Sequence, residues 1–212
     1  MKGRVLCSSF SSKEMMETMR SDLLSTLYFP DISGFTSFVN DIEIEHGQHI
    51  TAALLEEIIN SNYLDFTVSE IEGDSVLFLK SGIKEDINKL IELSLHIHKR
   101  FHLRRKKLNE STQCSCGACS SILNLKLKFV IHFGEVKKIK IYNHEKLYGR
   151  DVIVIHRLLK NSITYEEYIL ITNLTNESFS GISQYPQLSQ AKPFIQNINK
   201  LGSIQGVYFV IK

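Results

Sequence analysis

Two stretches decide the fold: LLSTLYFPDISGFTSFVN, residues 23–40, and LDFTVSEIEGDSVLFLK, residues 64–80. Leu23 to Phe29 is rich in strand-forming residues, and Pro30, which has no N–H to give to a ladder, predicts the end of that strand. Asp31 is therefore expected just past a strand terminus. Gly34 permits a tight turn, and helical structure is expected from Thr36 to Val39, resuming through Ile50, Leu54, Ile58 and Ile59, which share one helix face. In the second stretch two apolar runs flank Glu72, Gly73 and Asp74, which predicts a hairpin with Gly73 at the turn and Asp74 opening the second strand.

Working outward, Ile83, Ile87, Leu90, Ile91 and Leu95 recur at helical spacing, and the helix is expected to run past Phe101 into HLRRKK. The segment 109–121, NESTQCSCGACSS, breaks it. LNLKLKFVIHFGEVKKIKIY, residues 123–142, alternates apolar and polar residues on both sides of Gly134, which predicts a second hairpin there. Gly149 to Lys160 reads as a helix, EYILIT as a strand and GVYFVIK as the last strand. The order is that of an α+β fold, a ferredoxin-like βαββαβ sheet with helices packed on one face. Residues 1–21 carry no strong period and read as an N-terminal arm; 22–212 read as the domain, with 109–121 a cysteine-containing insertion.

A chain of 212 residues with 43% hydrophobic content can bury a full core. Its 25 Lys and Arg nearly balance 23 acidic residues, so overall charge argues for neither nucleic acid nor a membrane as partner. The basic run from Lys99 to Lys107 contains only Phe101 as an aromatic and reads as a solvated helix end. No signal-peptide core and no run of eighteen apolar residues is present, so a cytoplasmic protein is expected. The eight histidines show no H-E-x-x-H spacing, which leaves metalloprotease readings without support.

The chemistry centres on Asp31 and Asp74. Carboxylates at a strand end and a neighbouring hairpin turn can converge, and a hard cation such as Mg²⁺ favours such oxygens together with phosphate oxygens. Taken singly, Asp31 is equally a helix cap and Asp74 an ordinary turn residue. Their context is more specific, because Phe29, Asp31, Ile32, Gly34, Phe35 and Thr36 match F-x-D-I-x-G-F-T, and Gly73 and Asp74 match the end of an I-G-D-A hairpin. VIHFGEV, from Val130, is similar to a G-I-H-x-G strand and turn, and LYGRDVIVIHRLLKN, from Leu147, to a helix G-x-x-V-N-x-A-x-R-L. In these motifs, which occur in order over about residues 23–211, the chain resembles the class III nucleotide cyclases, and within them a bacterial branch carrying a cysteine cluster.

That resemblance implies a homodimer in which Asp31, Ile32 and Asp74 contact two Mg²⁺ or Mn²⁺ ions on a nucleoside triphosphate. Arg157 matches the arginine that stabilises charge developing on the α-phosphate, a task suited to a planar guanidinium. Base reading falls on Glu70 and Lys146. A carboxylate at Glu70 suits the N–H edge of guanine and tilts the expectation to GTP, whereas Lys146 fits neither the adenylate nor the guanylate pattern. The ribose-orienting asparagine of the family is replaced by Ile153, four residues after Gly149 and four before Arg157. Lys200 is the nearest match to a triphosphate-contacting lysine.

Cys114, Cys116 and Cys119 form C-x-C-x-x-C, three soft ligands for a structural zinc ion, with Cys7, His96, His98 or His102 as sources of a fourth; a loop of reduced cysteines is the alternative. The expected function is metal-dependent conversion of a nucleoside triphosphate to a 3′,5′-cyclic nucleotide and pyrophosphate. A catalytically degenerate domain that binds nucleotide or metal as a sensor or scaffold, and a zinc-knuckle interaction protein, are the alternatives.

Overall fold

The structure is a computed structural model, and it describes residues 24–40, 43–111, 121–174 and 184–212. Its centre is β1 (Leu24–Ser33), followed by α1 (Phe35–Asn40), α2 (Ile44–Asn60), β2 (Thr67–Glu72), β3 (Ser75–Lys80) and α3 (Ile87–Ser111). A 3₁₀ turn at Ile122–Asn124 leads into β4 (Lys126–Glu135), β5 (Lys137–Ile141), β6 (His144–Tyr148), α4 (Arg150–Leu158), β7 (Tyr168–Thr172), β8 (Lys192–Ile198) and β9 (Gly202–Val210). Seven strands form one sheet in the order β2-β3-β1-β4-β7-β9-β8, in which only β4 and β7 pair in parallel. The first four strands, in the spatial order β2-β3-β1-β4 with a helical connection on either side of the β2-β3 hairpin, are the expected ferredoxin-like βαββαβ unit.

Side chains alternate across β1, so Tyr28 and Ile32 point to one face of the sheet and Leu27 and Phe29 to the other. The two long helices cover the first face: Leu54 and Ile58 of α2 and Leu90, Ile97 and Phe101 of α3 pack with Phe78, Phe129 and Ile131. Tyr28 Oη and Ser94 Oγ lie 3.1 Å apart inside that core, tying α3 to the central strand. The short helix α4 closes the opposite face, where Val154, Ile155 and Leu158 meet Leu27, Phe29, Leu77 and Val130. Strand β1 is thus buried on both sides, with an apolar centre from Leu27 to Pro30, and its buried Thr26 is satisfied by bonds to the Ile83 carbonyl and the Glu85 N–H.

Two details differ from the sequence expectation. Pro30 does not end β1; the strand runs on to Ser33, and Asp31 lies within it. The N–H of Ile32 donates to Asp74 O at 3.1 Å, so the missing N–H of Pro30, two residues earlier, falls on the same β3 side. The β1–β3 ladder has its gap there, between Tyr28↔Phe78 and Asp31↔Ser75, while the β1–β4 ladder continues through Pro30↔Phe129. The strand therefore survives a proline because its other edge is fully paired.

The second difference concerns Gly134, which is not a turn. Strand β4 passes through it to Glu135, and β5 pairs with β6 in a separate two-stranded sheet. A Cβ at Gly134 would lie 2.3 Å from the Asp151 Cβ. The glycine is there so that the start of α4 can approach the strand, and Asp151 Oδ2 accepts the Glu135 N–H at 2.8 Å across that gap. Gly73, by contrast, is a turn glycine as expected, with φ +57°, although β3 begins at Ser75 rather than Asp74. The expected arm, 1–21, and the cysteines of the 109–121 insertion lie outside the described residues; Asn109 to Ser111 belong to the last turn of α3.

Gly134→Ala is expected to destabilise the chain by about 1–3 kcal/mol, the usual cost of forcing extra volume into a packed contact. Urea unfolding followed by circular dichroism checks this, and an unchanged midpoint would show that the β4–α4 approach is looser than described.

Candidate functional site

Asp31 sits on β1 beyond the apolar run, 8% exposed, on the α4 face of the sheet. Its register partner on β3 is Ser75, next to Asp74 in the two-residue turn of the β2–β3 hairpin. The Ile32 N–H to Asp74 O bond fixes that turn against the end of β1. Burial first, and the Asp31 charge second, push the Asp74 carboxyl up to about 6. The pair therefore forms one electrostatic unit, in which each negative charge raises the cost of the other.

On the other side of β1, Lys128 of β4 is the register partner of Asp31. Its Nζ lies 2.8 Å from Asp31 Oδ2 and also donates to Leu159 O at the C-terminal end of α4, at 3.4 Å. Burial opposes the charge on Lys128, but Asp31 more than offsets it and the ammonium is held above its ordinary range. Burial likewise raises the Asp31 carboxyl, with Lys128 working against that rise. Tyr168 completes this wall, its Oη accepting from Asn161 Nδ2 at 2.6 Å. Sequence reasoning missed Lys128. The signal was present, because strand alternation places it on the same face as Val130 and His132, both buried.

The donor set suits a hard divalent cation: two carboxylates that disfavour each other's ionisation, with one ammonium offsetting only part of the charge. Ile32 is buried and its N–H is spent on Asp74, so any role at this site falls to its carbonyl.

The remaining expected residues are spread around α4. Glu70 follows a register shift in β2, and its Oε2 lies 3.8 Å from His156 Nε2, while His156 Nδ1 lies 3.5 Å from Glu72 Oε2. His156 also stands edge-on to Phe29, with ring centroids 5.2 Å apart. Ile153 is 52% exposed, and Arg157, one turn further along α4, is exposed as well, with no ion pair among the described residues. Both look outward from the domain rather than into its core. Lys146, on β6, and Lys200, in the turn between β8 and β9 with φ +66°, are exposed too. One chain thus brings together Asp31, Asp74 and Lys128 and leaves Ile153, Arg157, Lys146 and Lys200 facing solvent.

The VIHFGEV stretch forms an internal brace. His132, 1% exposed, has Nδ1 at 2.8 Å from Thr172 Oγ1 and Nε2 at 3.4 Å from Asp151 Oδ1. Burial opposes ionisation of Asp151, but His132 and the Glu135 N–H hold it below the usual carboxylate range. Cys7, Cys114, Cys116 and Cys119, the expected zinc ligands, lie outside the described residues. No helix among those residues is long and apolar enough to cross a membrane.

A family model described as protein of unknown function (DUF2652) matches residues 51–168. An uncharacterized protein of Mycobacterium tuberculosis is 32% identical over 123 residues, 58% of this chain and 57% of the relative, so the chain spans little more than half the length of that curated relative. Among solved structures, the adenylyl cyclase CyaB of P. aeruginosa superposes with a TM-score of 0.63 at 18% identity, over 89% of this chain and 94% of that one. The guanylyl cyclase Cya2 gives 0.61 at 14% identity over 88% and 91%. The guanylate cyclase domain of RhGC from Catenaria anguillulae, solved with GTP, gives 0.59 at 16% identity over 90% and 98%. At these identities the likeness is one of fold: the chain has the fold of the class III cyclase catalytic domains.

The raised carboxyl at Asp74 has a measurable sign. Its folded pKa lies above its unfolded value, so the folded chain binds more protons between about pH 4 and about pH 6, and stability falls as pH rises through that window. In the absence of divalent metal, Asp74→Asn is expected to raise stability at about pH 7.5 by on the order of 1 kcal/mol, discounted for solvent screening. Thermal melts with and without Mn²⁺ check it: the gain from metal should be larger at about pH 7.5 than at about pH 5, and reduced in Asp74→Asn.

Proposed function

The chain belongs to the DUF2652 family, and for it we propose a metal-dependent nucleotide cyclase activity that converts a nucleoside triphosphate to a 3′,5′-cyclic monophosphate and pyrophosphate in a homodimer. The observation that carries the reading is the coupled pair Asp31 and Asp74, set at the end of the central strand in a cyclase-type fold. Divalent metal held there would neutralise triphosphate charge and make the ribose 3′-hydroxyl a better nucleophile.

The bond formed joins the ribose 3′-oxygen to the α-phosphorus. The bond broken joins that phosphorus to the pyrophosphate leaving group, and the hydroxyl proton passes to water. Asp31 and Asp74 are the metal-holding groups. Lys128 tunes them: its ammonium already compensates Asp31, so metal must share that carboxylate with it or displace it. Arg157, exposed and without an ion pair among the described residues, would stabilise charge on the α-phosphate at a site completed by a second copy. Glu70 favours a guanine edge, and its neighbour His156 would orient that carboxylate.

A second reading is favoured by Ile153. An exposed isoleucine on the Arg157 side of α4 cannot hydrogen-bond a ribose, and the chain then binds nucleotide and metal without fast turnover. Incubation of the full chain with each of the four triphosphates and Mn²⁺, read by mass spectrometry, separates the two. Cyclase activity predicts a cyclic product lost at least about 100-fold in Asp31→Ala and Asp74→Ala. Calorimetric binding without product favours the sensor reading, and absence of both removes both.

Ile153→Asn should raise any cyclic-nucleotide yield, by about 10-fold to 100-fold, if loose ribose orientation limits the rate. A yield unchanged by this substitution would mean that another group holds the sugar.

A further inference from the structure

On the sheet face opposite the two aspartates, α3 carries His98 and His102 four residues apart, side by side on one helix face. Glu167 immediately precedes β7, and it and Tyr168 point to opposite faces: Tyr168 lies in the Asp31 wall while Glu167 reaches the two histidines. The Glu167 backbone is anchored by the Ile211 N–H, which donates to its carbonyl at 3.1 Å. Glu167 Oε1 lies 3.0 Å from His98 Nε2 and 2.5 Å from His102 Nε2, and the two Nε2 atoms are 3.0 Å apart.

Hydrogen bonding satisfies this triangle only with crowding. If both Nε2 atoms donate to Glu167 Oε1, two N–H groups converge on one oxygen with their nitrogens only 3.0 Å apart. If one Nε2 accepts from the other, it has no hydrogen left for Glu167. A cation at the centre satisfies all three contacts at once, because each ligand atom then presents a lone pair. Zinc bonds of about 2.0–2.2 Å at tetrahedral angles place ligand atoms about 3.3 Å apart, so two sides of the triangle need to open by about 0.3 Å and the His102–Glu167 side by about 0.8 Å.

We propose that His98, His102 and Glu167 form a transition-metal site of the Zn²⁺ class, distinct from the Asp31–Asp74 pair. All three side chains are largely buried, so water competes little for their ligand atoms. Two imidazoles and one carboxylate leave a fourth position. It faces a cavity of about 700 Å³ that His98 and His102 line together with Leu95, Leu103, Arg105 and Ile211. That cavity gives water or a small anionic ligand access to the metal, with Arg105 at hand for the anion.

The test uses the full chain stripped with chelator and titrated with Co²⁺, whose visible d–d bands report tetrahedral nitrogen and oxygen ligation, and with Zn²⁺ in competition. To separate this site from the cysteines, the titration is repeated with Cys7, Cys114, Cys116 and Cys119 all changed to Ser, where no thiolate charge-transfer band can arise. One Co²⁺ per chain with tetrahedral d–d bands is expected when the cysteine substitutions are combined with Asp31→Ala/Asp74→Ala. Binding should weaken by more than about 100-fold in His98→Gln and in His102→Gln, since loss even of partners behind metal ligands costs about 10-fold to 100-fold. Glutamine can still donate to Glu167, so these variants keep a hydrogen bond, and their melting curves without metal verify folding. Co²⁺ binding that survives both histidine substitutions, disappears with the cysteines, or disappears with the aspartates overturns the proposal.

Discussion

Strand β1 is paired along all ten of its residues to β4 and is buried on both faces, and the rest of the domain is arranged around that constraint. A strand covered on both sides buries most of what it carries, so the carboxylate at Asp31 is placed where ionisation is costly. The structure meets that cost locally with Lys128, the ladder partner of Asp31, whose ammonium lies 2.8 Å away. Asp74 brings a second negative charge to the same spot through a two-residue hairpin. The result is a cluster with more acceptor charge than one lysine compensates, a donor set that suits a cation.

The short helix α4 shows how closely positioning and packing are linked. Its inner face seals the core over Leu27 and Phe29, its first turn is drawn onto β4 by Gly134 and Asp151, and its C-terminal end supplies the Leu159 carbonyl to Lys128. The same nine residues present Ile153 and Arg157 to solvent. One helix thus fixes the lysine of one site while offering its outer face to whatever lies against the domain. On the reverse of the sheet, His98, His102 and Glu167 use the alternation of β7 in the same way, since Glu167 and Tyr168 are neighbours in the chain but serve opposite faces.

Much of the fold was legible in the sequence. The apolar spacing of α2 and α3, the Gly73 hairpin and the βαββαβ order depend on local periodicity, which short windows report well. The two misreadings, at Pro30 and Gly134, share a cause. Each residue is a strong local breaker, and each is tolerated because of something distant: a fully paired second edge for Pro30, and the close approach of Asp151 for Gly134.

For the sites the division is sharper. Asp31 and Asp74 could be singled out from the sequence because their motifs are contiguous and ordered, and the spacing of His98 and His102 was equally plain. Lys128 and Glu167 were not: alternation gives the face that Lys128 shares with Val130 and His132, but not the partner that the ladder sets beside it. The sequence by itself determined most of the elements and singled out the two aspartates and Ile153. Only the tertiary structure decided which charges meet, because strand register and the face of a sheet join residues some hundred positions apart in the chain, such as Asp31 with Lys128.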